Sequence, residues 1–342
     1  MRAAVLARPG VLEVQERPRP EPGAGEALIR VTAVGVCGSD VHYWHRGAIG
    51  PFVVRGPIVL GHECAGTVVA LGPGAGPAGL RPGDRVALEP GIACGRCPSC
   101  RSGRYNLCPE VVFLATPPVD GALAEYVVHP VAFCHRLPDG VTDEAGALLE
   151  PLSVGVHAVR RGAAVLGARV LVTGLGPIGL AAVMAALGAG AAEVFGSDPV
   201  PFRRRAAVDL GATPVPGSGT AEELRAETAG GVDAAIECSG AAAALALCCA
   251  SVRAGGRVVV VGMGAEHASL PILELQTREV DVIPVFRYHH TYPAALGLVR
   301  RGAAPVERLI THRLPLGRVA EAFELSRAAA PGTMKVMVDP RA

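Results

Sequence analysis

The residues Arg169-Val170-Leu171-Val172-Thr173-Gly174-Leu175-Gly176-Pro177-Ile178-Gly179-Leu180 decide the fold. An apolar run of strand type leads into Gly174-x-Gly176-x-x-Gly179, and an alanine-rich segment of helical length follows up to Leu187. In that context the glycines allow a tight turn, close approach of the backbone to a pyrophosphate, and packing of helix on strand. The phosphates then sit at the helix N-terminus. Without a ligand, the same residues would be only a glycine-rich turn. The uncharged run Val170–Ala192 is long enough to span a bilayer of about 30 Å, but its glycines and Pro177 break it into strand, turn and helix.

Asp198 ends the next strand-like run, 19 residues beyond Gly179. An acid at about that distance binds the ribose hydroxyls and repels a 2′-phosphate, so NAD is expected over NADP. Arg203-Arg204-Arg205 runs against this, because an arginine there is able to take a 2′-phosphate; the plainer reading of the run is a solvated helix face.

On either side of this turn, strands alternate with helices: Arg169 to Thr173, Glu193 to Ser197, Val232 to Cys238 and Arg257 to Gly262. That pattern predicts βαβ units and a parallel sheet. Residues 1 to about 140 read differently, as short β runs between Gly and Pro: Ala27 to Val34, Gly66 to Leu71, Asp84 to Leu88 and Leu123 to Val128. A helix is predicted to start near Thr142-Asp143-Glu144, with a capping residue and acids in its first turn. The end of the chain carries helices near Tyr292–Arg301 and Leu316–Ala328 and a last strand Lys335–Asp339, too little for a third domain, so it is expected to pack on the first.

Composition narrows the function. The 342 residues include 32 basic and 31 acidic side chains, a formal charge of +1. No strong field is available to hold a nucleic acid or an anionic membrane, and neither partner is expected. Every basic residue except Lys335 is arginine. The start of the chain lacks a long apolar run with a cleavage pattern, so a reduced, cytoplasmic setting is expected for the ten cysteines.

Cys94-x2-Cys97-x2-Cys100-x7-Cys108 places four thiols within fifteen residues. Four sulfurs satisfy a tetrahedral Zn²⁺ with no open position, which makes such a site structural. An iron–sulfur cluster, disulfides and a zinc-finger nucleic-acid module remain alternatives, the last disfavoured by the neutral charge. A second set is dispersed: Cys37 in Gly35-Val36-Cys37-Gly38-Ser39-Asp40, then Gly61-His62-Glu63, then Glu150 before Pro151. Each alone reads as well as a packed core residue. Together they offer S, N and O donors, the kind of set a catalytic zinc uses when it keeps one position open. Cys64, Cys134, Cys238, Cys248 and Cys249 read as small buried residues.

These motifs, with Cys37-Gly38-Ser39-Asp40-Val41-His42-Tyr43-Trp44, Ala115-Thr116-Pro117-Pro118, Leu149-Glu150-Pro151 and Val285-Phe286-Arg287-Tyr288, resemble the zinc-dependent medium-chain dehydrogenases over essentially the whole chain. Within that family the resemblance is to the sorbitol (L-iditol, xylitol) dehydrogenases. It implies an α/β protein: a GroES-like, mostly-β catalytic domain of residues 1–155 and 288–342, and a doubly wound Rossmann NAD domain of residues 156–287.

It further implies a catalytic zinc on Cys37, His62 and Glu63, with Glu150 as an alternate ligand or acting through water and substrate, and Asp40 orienting His62. Tyr43, Glu150, Arg287 and Tyr288 would contact a polyol. NAD would lie against Gly174, Gly176, Ile178, Gly179, Asp198, Arg203, Val261, Gly262, Met263, Val285, Phe286 and Arg287. Oxidising a secondary hydroxyl by hydride transfer requires its proton to leave, and Ser39 and His42 are placed after Cys37 to relay it.

A homotetramer is implied as well, with the apolar stretch Ser269 to Phe286 suited to pairing of sheets between subunits. Two other readings stay open. One is L-threonine 3-dehydrogenase or butanediol dehydrogenase on the same scaffold, against which Tyr43, Arg287 and Tyr288 favour a hydroxyl-rich substrate. The other is a zinc- and NAD-binding protein without turnover.

Overall fold

A computed structural model describes residues 1–76, 79–215, 219–264 and 266–342. The chain divides into two compact units, Met1–Glu150 with Val306–Ala342, and Pro151–Pro305. The units divide at 150/151 and 305/306, where the sequence leads one to expect 155/156 and 287/288. Helix Tyr292–Arg300 buries Tyr292, Ala295 and Leu298, and Leu298 packs so closely on Gly188 that a methyl there would meet it. Residues 288–305 therefore go with the second unit.

The first unit is built on the strand Glu26–Gly35, which is buried along nearly its whole length. A strand covered on both faces carries apolar residues on both, and here Ala27, Ile29, Val31 and Ala33 share one face while Leu28 and Val34 share the other with exposed Arg30 and buried Thr32. In its sheet the order is Cys134–Arg136, Arg85–Leu88, Glu63–Leu71, Glu26–Gly35, Lys335–Asp339 and Ile310–Pro315, with Tyr126–Pro130 also paired to Glu26–Gly35. All these pairs are antiparallel except that of Lys335–Asp339 with Ile310–Pro315.

Of the predicted run Leu123–Val128, the strand itself starts only at Tyr126, because Leu123 and Ala124 are taken up by Leu60, Ala122 and Ala4 instead. Arg2–Arg8, Val11–Glu16 and Ile58–Val59 form a further sheet. Val5, Leu6, Ile29, Val34, Leu60, Leu88, Leu123, Leu316, Phe323 and Val338 close one core from both ends of the chain. At about 1.5–3 kcal/mol for each large apolar side chain buried, the return of the C-terminal strand is amply driven. The predicted helix start is also present: Thr142 Oγ1 accepts from Ala145 N at 3.0 Å, capping Asp143–Ala147.

The second unit holds a six-stranded, all-parallel sheet in the order Thr213–Pro214, Glu193–Ser197, Arg169–Thr173, Val232–Glu237, Val252–Val260, Asp281–Pro284. Counted along the chain this is 3-2-1-4-5-6, the dinucleotide-binding order, in which the order of strands, all parallel, reverses between Arg169–Thr173 and Val232–Glu237. Helix Pro177–Gly188 is buried on all sides from Gly179 to Ala186. This accounts for the uncharged run around it, since a helix apolar all round belongs to an interior. No described helix is long and apolar enough to cross a membrane. The stretch Ser269–Phe286 is only partly strand: Ile272–Thr277 is helix and Asp281–Pro284 is the edge strand.

Candidate active site and metal centres

The glycine-rich turn at the carboxyl end of Arg169–Thr173 depends on its glycines. Gly174 has φ +79°, and a Cβ there would meet Ser239 N at 2.7 Å; a Cβ on Gly179 would strike the Gly174 carbonyl. The first relieves backbone strain and the second lets helix Pro177–Gly188 sit on its strand. Gly176 caps that helix and Pro177 opens it, leaving backbone N–H groups directed out of the N-terminus.

Asp198 is 6% exposed and both carboxylate oxygens are engaged: Oδ2 accepts from Leu175 N at 2.8 Å and Oδ1 from Val200 N at 2.8 Å. It thus braces the glycine-rich turn, a duty its position in the sequence did not disclose. Arg203 stands 3.7 Å from Asp198 Oδ2, while Arg204 bonds the Asp198 carbonyl. Val261 and Gly262 donate to the Glu237 carbonyl, and Val285 donates to Val260. Ile178 is half-buried, whereas Met263 and Phe286 are exposed apolar side chains, and Arg287 lies over the Phe286 ring at 4.8 Å. Tyr288 is buried against Tyr292.

In the first unit Cys94, Cys97, Cys100 and Cys108 converge, their sulfurs all within 4.8 Å of one another. Cys94 and Cys100 sulfurs are 4.0 Å apart, twice a disulfide bond, and all ten cysteines are free. Backbone N–H groups of Arg96 and Cys97 bring the Cys94 thiol down to about 7. Burial and the Cys97 thiol beside it push Cys100 up to about 12 at the same time, so the four thiols share their protons unequally until a metal takes their place. The four-sulfur set fits a closed tetrahedral zinc site. Tyr105 in the same lobe donates to Glu89 Oε1 at 2.5 Å, and His135 reaches Glu89 Oε2 at 2.9 Å, so a buried carboxylate ties the lobe to the sheet.

Cys37, His62 and Glu63 form the second converging set, again with ligand atoms within 4.8 Å. Pairing of Glu26–Gly35 with Glu63–Leu71 sets Gly35 opposite Glu63, and a Cβ on Gly35 would strike the Glu63 carboxylate. Cys37 follows at the N-cap of helix Gly38–Arg46. Asp40, fully buried, accepts from Cys37 N at 3.2 Å and Gly61 N at 3.1 Å and lies 3.4 Å from His62 Nδ1. Held so, His62 keeps Nε2 as its ligand nitrogen, the usual arrangement for a carboxylate behind a metal-binding histidine. Sulfur, nitrogen and oxygen donors converging on one point fit a zinc site with one position left for substrate.

Glu150 is buried but stands outside the converging set; burial pushes the Cys64 thiol up, with the Cys134 and Glu150 charges adding to it, and Glu150 makes a lesser contribution beside Glu63 in raising Lys335. Tyr43 is buried on the helix after Cys37. Ser39 Oγ donates to Cys37 Sγ at 3.3 Å, and no described hydrogen bond joins it to half-buried His42.

Residue spacing gives Lys335 no role. Its ammonium is buried and donates to Glu63 Oε1 at 2.7 Å, Glu63 Oε2 at 2.8 Å and the Val36 carbonyl at 3.1 Å. Burial opposes its charge, but the Glu63 carboxylate, helped by Cys37 and Glu150, holds its pKa above the ordinary lysine value. The available signal was compositional, a single lysine in a chain that otherwise uses arginine.

Comparison with known proteins agrees with this geometry. The family described as "Alcohol dehydrogenase GroES-like domain" matches residues 23–139, and "Zinc-binding dehydrogenase" matches residues 177–301. The chain is 44% identical over 344 residues to sorbitol dehydrogenase of Gallus gallus, covering 99% of this chain and 96% of that protein. It is 44% identical over 342 residues to sorbitol dehydrogenase of Homo sapiens, covering 98% and 95%. Among solved structures, 2R,3R-butanediol dehydrogenase from Bacillus subtilis superposes with a TM-score of 0.91 at 30% identity, covering 99% of each chain. With a metal-ready Cys-His-Glu set, a four-cysteine lobe and a dinucleotide-binding sheet, the chain belongs to the zinc-dependent medium-chain dehydrogenases, enzymes that use zinc and NAD.

Proposed function

We propose that the chain oxidises one secondary hydroxyl of a polyol such as sorbitol, xylitol or L-iditol to the ketose. The observation that carries this is the 44% identity to sorbitol dehydrogenases over 98–99% of the chain, together with the convergence of Cys37, His62 and Glu63. In this reading Cys37, His62 and Glu63 hold the catalytic zinc, with Glu150 as an alternate ligand or acting through water and substrate. Cys94, Cys97, Cys100 and Cys108 hold the structural one.

When bound, zinc and NAD supply Lewis acidity toward the substrate oxygen and a hydride acceptor. Asp40 keeps His62 in the tautomer that leaves Nε2 free to ligate. Tyr43, Glu150, Arg287 and Tyr288 hydrogen-bond the remaining hydroxyls, which discriminates against substrates that lack them. The departing proton passes to Ser39 Oγ and on to His42; Ser39 must first turn its hydroxyl away from Cys37 Sγ. On the cofactor side, Gly174, Gly176, Ile178 and Gly179 receive the pyrophosphate half, Asp198 and Arg203 the adenosine ribose, and Val261, Gly262, Met263, Val285, Phe286 and Arg287 the remainder.

A homotetramer in the cytoplasm completes the proposal. Among the described residues the strand Asp281–Pro284 ends its sheet, and Ile272 and Leu273, in the helix just before it in the chain, are 55% and 75% exposed; exposed apolar side chains by a sheet edge seek a partner. Light scattering on the purified protein reads the assembly. The function is tested by following NADH formation with sorbitol, xylitol, L-iditol, 2,3-butanediol and L-threonine. A specificity constant highest for a polyol is expected; a highest value for butanediol or threonine, or full turnover after zinc is stripped, rejects the proposal.

A further inference from the structure

Glu237 is 1% exposed, carries a carboxylate at the carboxyl end of the strand Val232–Glu237, and has no part in the function described so far. Its Oε1 accepts from Ser239 N at 2.6 Å, from the Ser239 hydroxyl at 2.5 Å and from Gly240 N at 2.8 Å. Its backbone carbonyl accepts from Val261 N at 2.8 Å and Gly262 N at 3.0 Å. One residue thus ties together the turn 238–240 and the turn 261–264.

Both turns are locked further. Cys238 N donates to the Thr173 carbonyl at 2.8 Å, and Ser239 stands against Gly174 with no room for a methyl. A Cβ on Gly262 would meet Glu237 Oε2 at 2.7 Å and strike Gly240 N, and one on Gly264 would strike the Gly240 carbonyl. The turns after Arg169–Thr173, Val232–Glu237 and Val252–Val260 therefore form one close-packed block around the Glu237 carboxylate. That block stands at the point where the sheet order reverses, which is where ligands of such sheets bind.

We propose that Glu237 is a positioning residue for the dinucleotide: by holding Ser239 and Gly240 against the Gly174 turn, it builds the wall of the cofactor crevice and sets the affinity for NADH. A carboxylate oxygen suits the task, since it accepts several donors at once and has none of its own to satisfy. The proposal rests on the glycine-rich turn being the cofactor site. It adds a residue that would touch no substrate and act only through the loop it anchors.

The test is fluorescence titration of NADH into the zinc-loaded enzyme and its variants. Glu237→Ala is expected to raise the NADH Kd by about tenfold or more, the scale of losing bonds to a buried charged acceptor. Glu237→Gln, whose amide oxygen can take the same three donors, is expected to stay within about threefold of wild type. The KM for NAD follows the Kd, while kcat at saturating NAD and zinc content stay near wild type. A Kd for Glu237→Ala within about twofold of wild type overturns the proposal, as does a Gln variant as weak as the Ala variant. Ser239→Ala, which removes one donor and keeps the backbone, carries the test if Glu237→Ala does not fold: a Kd raised by about threefold supports the proposal and an unchanged one overturns it. Failure of the wild-type enzyme to bind NADH would instead remove the cofactor-site reading itself.

Discussion

Replacing Lys335 by methionine keeps the length of the side chain and removes its charge. The ammonium it removes is 2% exposed and lies 2.7 and 2.8 Å from the two oxygens of Glu63, itself 1% exposed. Breaking a buried pair by deleting one partner costs about 3–5 kcal/mol, because the other charge is left in the interior without compensation. For a unit of this size each kcal/mol shifts the melting temperature by about 2–4 °C, so the metal-free protein should lose about 6–20 °C. The loss should be smaller in zinc-loaded protein, where a divalent cation beside Glu63 supplies the missing positive charge.

Trp44 makes the assay simple. It is the chain's only tryptophan, 5% exposed, edge-on to Phe323 at 5.8 Å and in the same unit as Lys335, so its emission reports unfolding of that unit. Lys335→Arg restores the charge at the cost of overpacking, about 1–3 kcal/mol, and should fall between wild type and Lys335→Met. A shift below about 2 °C in metal-free Lys335→Met, or an equal shift with and without zinc, would refute the argument that the lysine compensates Glu63.

Three further outcomes are expected. Cys37→Ser or His62→Ala should abolish turnover and lower bound zinc to one ion per chain while near-native circular dichroism is retained; two ions retained would remove those residues from the metal site. Asp198→Ala should raise NADP use relative to NAD, and should also weaken NAD by about tenfold because the Leu175 and Val200 amides lose their acceptor; an unchanged cofactor ratio contradicts the ribose assignment. Burial pushes the His129 imidazole down to about 4. The unfolded chain, with an ordinary histidine near 6.5, binds the extra proton first as pH falls, so this contribution is complete above about pH 6.5 and is lost toward pH 4 by up to about 1.4 kcal/mol per unit. Urea midpoints at neutral and mildly acidic pH for wild type and His129→Gln check this, and equal acid sensitivity of the two would exclude His129 as its source.

Particular residues show why some of this was legible in the residue order. The four cysteines lie within fifteen residues, so a short loop can bring them together whatever surrounds it. The glycine-rich turn reads directly because its demands are local: a left-handed Gly174, a helix start at Pro177, and Gly179 packed on Gly174. The strand Glu26–Gly35 betrays itself by its run of β-type apolar residues, Ala27-Leu28-Ile29 and Val31 to Val34, broken by only Arg30 and Thr32. Asp198 was legible as an acid near a cofactor but not as the acceptor for Leu175 N, since spacing does not say which donors a carboxylate will meet. The strand Ile310–Pro315 went unread because three of its residues are polar or charged, Thr311, His312 and Arg313. The helix Ile272–Thr277 went unread because the apolar residues around it suggested sheet.

The residue order alone was enough for the two domain textures, the dinucleotide turn and the two sets of metal donors, because each is encoded by neighbours in the chain or by a donor type rare enough to stand out. Tertiary structure decided that Lys335 neutralises Glu63 across 272 residues, that Glu237 binds three turns into one block, and that Glu150 lies close to the converging donors without joining them. A buried charge must find a partner, and which partner it finds depends on the strands that pack beside it. Distance along the chain carries no record of that choice.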